Sequence, residues 1–202
     1  VAAVLMPAKG QAQQISPNPN MGLITVIGGN AFNSDSPYEN YGHIFVGGGV
    51  LTNNAGATLN NNGYLTSENP GSVIINNGVL NNYGGLTADF GGGIINNAGA
   101  TLNNVGDLVL HASGLRNWGT FINSGTISYF DGTLEIGPGG LFIDSGGPIS
   151  GYDSGHFNLS SGTAVFNISA SHTPSLTLAV ANFDGGTIAL DFTDGYTPTP
   201  GD

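Results

Sequence analysis

Cysteine is absent from this chain of 202 residues, and basic residues nearly so. Without cysteine there are no disulfides, no thiol catalysis and no cysteine-ligated metal sites. The chain has two basic residues, Lys9 and Arg116, and 13 acidic residues, which gives a net charge of −11. A surface of that sign repels phosphate backbones and anionic lipids. The composition therefore argues against nucleic-acid binding and against a polybasic membrane-surface role.

Long apolar runs and helical periodicity are missing as well. No stretch reaches the roughly 18 consecutive apolar residues of a membrane-spanning helix, so no membrane span is predicted within this chain. The sequence contains 35 glycines, and each glycine inside a helix would cost about 1 kcal/mol relative to alanine. Only 7% of residues are charged, and 39% are hydrophobic and regularly placed. These features predict an all-β protein with a stacked core.

The tripeptide Asn-x-Gly is the main feature that the chain does have. Between residues 54 and 125 it begins at Asn54, Asn61, Asn69, Asn76, Asn82, Asn97, Asn104, Asn117 and Asn123, and Asp89-Phe90-Gly91 fills the one missing place. The glycines of the first corner, Gly56, Gly78, Gly99 and Gly119, are 22, 21 and 20 residues apart in successive coils. A repeat of this length defines the architecture. Three corners per coil predict a right-handed, single-stranded parallel β-helix, which is a triangular solenoid.

The segments between the corners are typical of short strands. Residues 57–61 and 100–104 are identical in sequence, with apolar side chains two apart, and lie two coils from each other. Short β-branched runs bounded by Gly and Asn indicate strands. Glycine allows the tight bends between them, and asparagine is the next most tolerant residue.

Stacked asparagines are predicted to stabilise the coils. Coils lie about 4.8 Å apart, so identical amides can hydrogen-bond from one coil to the next as a ladder. Aligning the motifs on their glycines gives one ladder of Asn54, Asn76, Asn97 and Asn117. The same alignment gives a second ladder of Asn61, Asn82, Asn104 and Asn123. A structural role explains both rows without a bound ligand.

The chain divides by pattern into three parts. Residues 1–21 are predicted to be a signal-peptide remnant, with cleavage before Gln13, followed by a Pro/Asn tether. Residues 22–155 are predicted to form the β-helix. In residues 156–202 the Asn-x-Gly motif stops and longer alternating strands follow. This last part is predicted to be a β-rich C-terminal cap region that covers the open end of the solenoid, in a protein that continues further.

The coils at residues 95–108 and 115–127 resemble the β-helical passengers of bacterial autotransporters and of filamentous-haemagglutinin-type exoproteins. The tail, with residues 185–192 followed by Gly195-Tyr196-Thr197-Pro198, resembles the segment that closes many such repeat regions. The resemblance implies export to the bacterial cell surface or secretion, and continuation into a C-terminal translocator or anchor. It carries over no catalytic or binding residue, because the matching positions are structural.

A carbohydrate-active enzyme, either a lyase or a hydrolase, is the alternative function. Such enzymes need clustered carboxylates, and lyases need a strong base beside them. Asp131 and Asp153 are the one pair that the coil spacing brings to a shared corner. His43, His111, His156 and His172 are too scattered to predict a metal site, and Arg116 beside Trp118 is interpreted as a solvated or stacked side chain. No catalytic residue, cofactor or metal is predicted.

Aromatic residues at the corners are the candidate binding surface. Tyr64 and Tyr83 lie near the second corner of successive coils and could stack as a stripe for sugar or protein contact, and Trp118 is a further candidate. The alternative is that these rings pack against neighbouring corners. The sequence as a whole favours a non-catalytic adhesin or rigid stalk whose partner is a host or cell-surface glycan or protein.

Overall fold

A computed structural model describes residues 3–5, 11–152, 154–169, 176–177 and 180–197. Within these residues three parallel sheets, named A, B and C, contain nine, nine and eight strands. Sheet A consists of β1 (Ala3–Leu5), β3 (Leu23–Ile27), β6 (His43–Gly47), β9 (Tyr64–Glu68), β12 (Gly85–Asp89), β15 (Asp107–His111), β18 (Thr126–Phe130), β21 (Ile149–Tyr152) and β24 (Leu176–Thr177). Sheet B consists of β2 (Ala12–Gln14), β4 (Asn30–Asn33), β7 (Val50–Asn53), β10 (Val73–Asn76), β13 (Gly93–Asn96), β16 (Gly114–Asn117), β19 (Thr133–Ile136), β22 (His156–Ser160) and β25 (Val180–Asp184). Sheet C consists of β5 (Tyr38–Asn40), β8 (Thr58–Asn61), β11 (Val79–Asn82), β14 (Thr101–Asn104), β17 (Thr120–Asn123), β20 (Leu141–Asp144), β23 (Thr163–Ile168) and β26 (Thr187–Phe192).

Each strand that is not at the end of its sheet pairs in parallel with the strand one coil before it and the strand one coil after it. In sheet C, for example, β11 lies between β8 and β14, with Leu80 beside Leu59 and Leu102. The chain therefore winds through three sheets in every coil, and no helix occurs among the described residues. The predicted all-β parallel β-helix is confirmed.

The core is a column of inward-pointing side chains. Along most strands buried and partly exposed residues alternate, as expected for a pleated strand with one face inside. Phe121 and Phe142 lie on adjacent coils with ring centroids 5.1 Å apart, and Phe157 follows at 6.1 Å. Tyr129 is also fully buried. Burial, and secondarily the negative charge of Asp144, raises the pKa of the Tyr129 phenol far above its ordinary value.

The corners between sheets B and C have two lengths. Asn77-Gly78 and Trp118-Gly119 form two-residue corners between consecutive strands. Residues 54–57, 97–100 and 137–140 form four-residue corners, each closed by a backbone hydrogen bond from the last residue to the first, at 2.9–3.0 Å. Their third residue is a glycine with positive φ, such as Gly56 at 79°, which is the position where a type II turn requires glycine.

The first row of asparagines differs from the prediction by one residue in two coils. The first inner ladder is formed by Asn33, Asn53, Asn76, Asn96 and Asn117. Each side-chain Nδ2 donates to the Oδ1 of the next coil, at 2.7–2.8 Å. The assignment of Asn54 and Asn97 to this ladder was wrong, because glycine-based alignment ignores the extra residues of the four-residue corners. Asn54 begins an outer turn, and Asn97 donates instead to Asn77 at 2.7 Å.

The second inner ladder contains the asparagines that the alignment assigned to it, Asn61, Asn82, Asn104 and Asn123. It also includes Asn20 and Asn40 before them, and Asn123 donates to the buried carboxylate of Asp144 at 3.1 Å. The corners that follow these asparagines are all two residues long, so alignment on glycine gives the correct register here.

Both inner ladders use the second N–H of their amides as well. Asn61 Nδ2, for instance, donates to Asn82 Oδ1 at 2.8 Å and to the backbone oxygen of Gly85 at 2.9 Å. The asparagines of both ladders are at most 1% exposed. Burying an amide is unfavourable unless its hydrogen bonds are made, and here the neighbouring coil supplies the partners.

The three-part division does not coincide with a break in the sheets. Strands β1 and β2 pair with β3 and β4, and Asn20 of the predicted tether donates to Asn40 in the second inner ladder. At the other end, β22, β23, β25 and β26 continue sheets B and C in parallel. The change in sequence pattern near residue 155 thus reflects different side chains in the same coil geometry.

Candidate functional site: an exposed tyrosine edge

Exposed tyrosines line the edge where sheet C turns into sheet A. Each turn there has an outward residue followed by a glycine, and the outward positions in successive coils are Tyr41, Asn62, Tyr83 and Val105. Their backbone N–H groups donate to the ladder residues of the preceding coil, as from Tyr83 to Asn61 oxygen at 2.8 Å. Tyr41 and Tyr83 are 53% and 52% exposed. We call Tyr41, Tyr64 and Tyr83 the tyrosine edge.

Tyr64 lies two residues further along the coil and is 65% exposed. It is the first residue of β9, and its register partners are His43 and Gly85. The His43 ring meets the Tyr64 ring edge-on at 6.0 Å. On the other side, a side chain on Gly85 would come within 2.9 Å of the Tyr64 ring. The ring is therefore held between two coils while much of it faces solvent.

Tyr64 and Tyr83 do not stack as one stripe, because their register positions differ by two residues. They instead flank one shallow groove of about 250 Å³. Asn62 and Asp107 contribute polar groups to the groove. Much of the remaining surface is formed by four glycines, Gly63, Gly84, Gly85 and Gly106. The two tyrosines that the sequence singled out therefore lie at one site.

Trp118 lies elsewhere. It occupies a two-residue corner between sheets B and C, and a side chain on Gly137 would collide with its indole ring. The indole is half-buried over that glycine. Nearby, Arg116 contacts Glu135 through Nε at 3.4 Å, with the arginine side chain 61% exposed. An exposed ion pair of this kind contributes little stability. Trp118 is not part of the tyrosine edge.

The titratable residues at the corner between sheets A and B form small, separate contacts. His111 Nδ1 lies 2.7 Å from Asp89 Oδ1. Asp131 accepts hydrogen bonds from the hydroxyl and the backbone N–H of Ser154, which hold the pKa of its carboxyl below the usual range. Asp153, the predicted partner of Asp131, lies outside the described residues, as does His172. Among the residues that the structure describes, no three His, Asp or Glu side chains are grouped to hold a metal ion.

A row of outward-facing amides beside the tyrosine edge was not predicted. Asn81 Nδ2 donates to Asn60 Oδ1 at 2.8 Å, and Asn103 Nδ2 donates to Asn81 Oδ1 at 2.7 Å. We call Asn60, Asn81 and Asn103 the outer amide row. At the N-terminal end of the row, Asn60 Nδ2 donates to the carboxylate oxygen Oε1 of Glu39 at 2.7 Å. The doublets Asn60-Asn61, Asn81-Asn82 and Asn103-Asn104 carry the signal, because alternation places one asparagine inside and its neighbour outside.

His43 gives the tyrosine edge a pH-dependent neighbour. Burial lowers the pKa of His43 below its ordinary value of 6.5, and the charge of Glu68 opposes this shift only in part. The unfolded chain therefore takes up a proton before the folded protein does as the pH falls through about 6.5. We expect this to reduce the unfolding free energy as the pH falls from about 7 into the acidic range below 6.5.

The test is chemical denaturation of the wild type and of His43→Gln across that pH range. The variant lacks the titrating ring, so its unfolding free energy should fall less steeply as the pH decreases. Two curves with the same slope would show that His43 does not couple protonation to folding.

Comparison with protein-family models finds no match, and comparison with curated proteins and solved structures finds none either. The class that the fold itself defines is the parallel β-helix solenoid. The resemblance of its coils to autotransporter passengers and haemagglutinin-type exoproteins stays a prediction from the sequence.

Among the described residues, no helix is long and apolar enough to span a membrane.

Proposed function

We propose that this chain is part of an exported bacterial protein, displayed at the cell surface or secreted, that acts as a rigid non-catalytic rod with an adhesive surface. The observation that carries the proposal is the pair of inner amide ladders, which run beside a continuous apolar core through successive coils. Every coil contributes hydrogen bonds to both neighbours, so bending the stack would strain buried bonds that water cannot replace.

Two further features support an extracellular, adhesive role. A chain without cysteine can cross an envelope unfolded and coil afterwards, because its repeats need only neighbour contacts to fold. The tyrosine edge exposes more than half of each of three large aromatic side chains. Aromatic side chains are enriched at recognition surfaces because they combine a large apolar area with a polar group.

Antibodies against this chain test the location. They should label intact cells of the bacterium that produces the protein, and permeabilisation should add little signal. Labelling that requires permeabilisation would contradict the proposal.

Beads coated with the purified chain test the adhesive role. They should adhere to host cells or to bacterial cells more strongly than beads coated with an unrelated acidic protein. Absence of adhesion to both cell types would contradict it. Release of soluble sugar from a polysaccharide, abolished by Asp131→Asn or Asp153→Asn, would instead establish an enzyme.

A further inference from the structure

We propose that the tyrosine edge and the outer amide row together form a binding site for a neutral, linear glycan that lies along the solenoid axis. This inference rests on the proposed adhesive role and names its ligand class and its site. Four properties of the edge carry it: a fixed and exposed aromatic ring, amides with unused hydrogen-bonding groups, the repeat of these groups on successive coils, and the sign of the local charge.

The first property is that an exposed aromatic ring is held in place. Tyr64 is 65% exposed, yet it lies against His43 on one coil and over Gly85 on the next. A fixed ring loses little conformational entropy when a ligand stacks on it. Its electron-rich face attracts the C–H groups on the apolar face of a sugar ring.

The second property is that the outer amides make only part of the hydrogen bonds that an amide can form. In the inner ladders an amide donates both of its hydrogens, as Asn61 does to Asn82 and to Gly85. In the outer amide row, Asn81 donates to Asn60 and accepts from Asn103. An amide has two donor hydrogens and two acceptor lone pairs, so Asn81 keeps one donor and one acceptor for an external partner. Sugar hydroxyls satisfy both kinds of group.

The third property is the repeat. Register places Asn60, Asn81 and Asn103 directly beside one another on successive coils, which lie about 4.8 Å apart. Tyr41 and Tyr83 occupy the same corner position two coils apart, with Asn62 between them. A row of identical groups at constant spacing suits a ligand that also repeats. The groove of about 250 Å³ between Tyr64 and Tyr83 is sized for a sugar unit and has glycines along its surface.

The fourth property is charge, which selects a neutral glycan. The charged residues at this edge are Glu39, which accepts from Asn60 and Asn62, and Asp107, which lines the groove. Carboxylates accept hydrogen bonds from hydroxyls but repel sulfate, carboxylate and phosphate groups. The net charge of −11 adds to that repulsion.

The experiment measures binding of the purified chain to arrayed neutral oligosaccharides of glucose, galactose, mannose and N-acetylhexosamines, with sialylated and sulfated counterparts on the same array. We expect binding to at least one neutral series, and affinity that rises with oligosaccharide length. Tyr64→Ala/Tyr83→Ala should weaken this binding by about tenfold or more, because two stacking rings are removed. Asn81→Leu, which keeps the size and removes the amide, should weaken it in the same direction.

The matched control is Phe90→Ala. Phe90 is 54% exposed, similar to Tyr83, but lies at a different corner, against His111. This variant should bind like the wild type, and circular dichroism should show that all variants remain folded. Binding to no neutral glycan, binding to charged glycans alone, or equal binding by Tyr64→Ala/Tyr83→Ala would overturn the proposal.

The bead assay separates this inference from the adhesive role. Wild-type beads that adhere, together with equally adherent Tyr64→Ala/Tyr83→Ala beads, would refute the glycan site and leave the adhesive role intact. Glycan binding by the isolated chain without any adhesion of coated beads to cells would refute the adhesive role and leave the site intact.

Discussion

Gly84→Ala is expected to lower the unfolding free energy by about 3 kcal/mol or more, or to prevent folding. A Cβ at this position would overlap the carbonyl oxygen of Gly63 and come within 2.8 Å of the carbonyl oxygen of Asn62. Both obstacles are backbone atoms of the preceding coil, so rotation of a side chain cannot relieve the clash. The coils would have to separate at a corner where backbone hydrogen bonds and the second inner ladder hold them together.

The matched control is Gly93→Ala. The nearest atom to a Cβ at residue 93 is the carbonyl oxygen of Gly114, at 3.8 Å, which is ordinary contact. Gly93 lies in β13 and has no positive φ, so alanine should leave stability unchanged or raise it by up to about 1 kcal/mol. Thermal unfolding of both variants measures the difference. Equal melting temperatures for Gly84→Ala and the wild type would mean that the coils do not approach this closely at the corner.

Asn82→Ala is expected to lower the unfolding free energy by about 3–5 kcal/mol. Asn82 accepts from Asn61 at 2.8 Å and donates to Asn104 and to the backbone oxygen of Asp107, at 2.7 and 3.0 Å. Alanine removes all three bonds, so the buried amides of Asn61 and Asn104 each lose a partner that water cannot replace. Each such group costs about 1–3 kcal/mol.

Asn81→Ala is the control for that substitution, since it removes the same side chain one residue earlier. Asn81 also bonds to two amides, but on the partly exposed outer face, where water can replace them. Its expected cost is below about 1 kcal/mol. Asn96→Ala and Asn97→Ala give the same comparison at the end of β13, where Asn96 is in the first inner ladder and Asn97 begins the corner that follows. Similar losses within either pair would contradict the distinction between inner and outer amides.

The sequence was sufficient to predict the architecture and the second inner ladder. Three motifs in each repeat predicted a coil with three sides. The corners after Asn61, Asn82 and Asn104 are all two residues long, so alignment on the glycines also aligns the strands that precede them. In the first inner ladder the corners vary between two and four residues, so glycine spacing loses the register. Alternation within the strands would have identified it: Leu51 is buried and Asn53 follows two residues later, as Asn96 follows Ile94.

The candidate site could be predicted only in part. Exposure of Tyr64 and Tyr83 follows from their place at a corner, but their shared groove depends on how adjacent coils superpose. Tyr41 was not predicted, although Asn40-Tyr41-Gly42 is an Asn-x-Gly motif and the second inner ladder continues through Asn40. The alignment of motifs covered residues 54–125 only, so this earlier coil was left out of it. The prediction of a tether has the same cause, since Asn20-Met21-Gly22 is also an Asn-x-Gly motif before residue 54 and Asn20 belongs to the ladder.

We expect the inner amides to hold the coils together and the outer amides to remain available for recognition. Hydrogen exchange of the asparagine side-chain amides, followed by NMR, distinguishes the two sets. The side-chain N–H groups of Asn61, Asn82 and Asn104 should exchange at least about a hundredfold more slowly than those of Asn60, Asn81 and Asn103, because only the buried set requires coil opening. Equal exchange rates for the two sets would contradict this expectation.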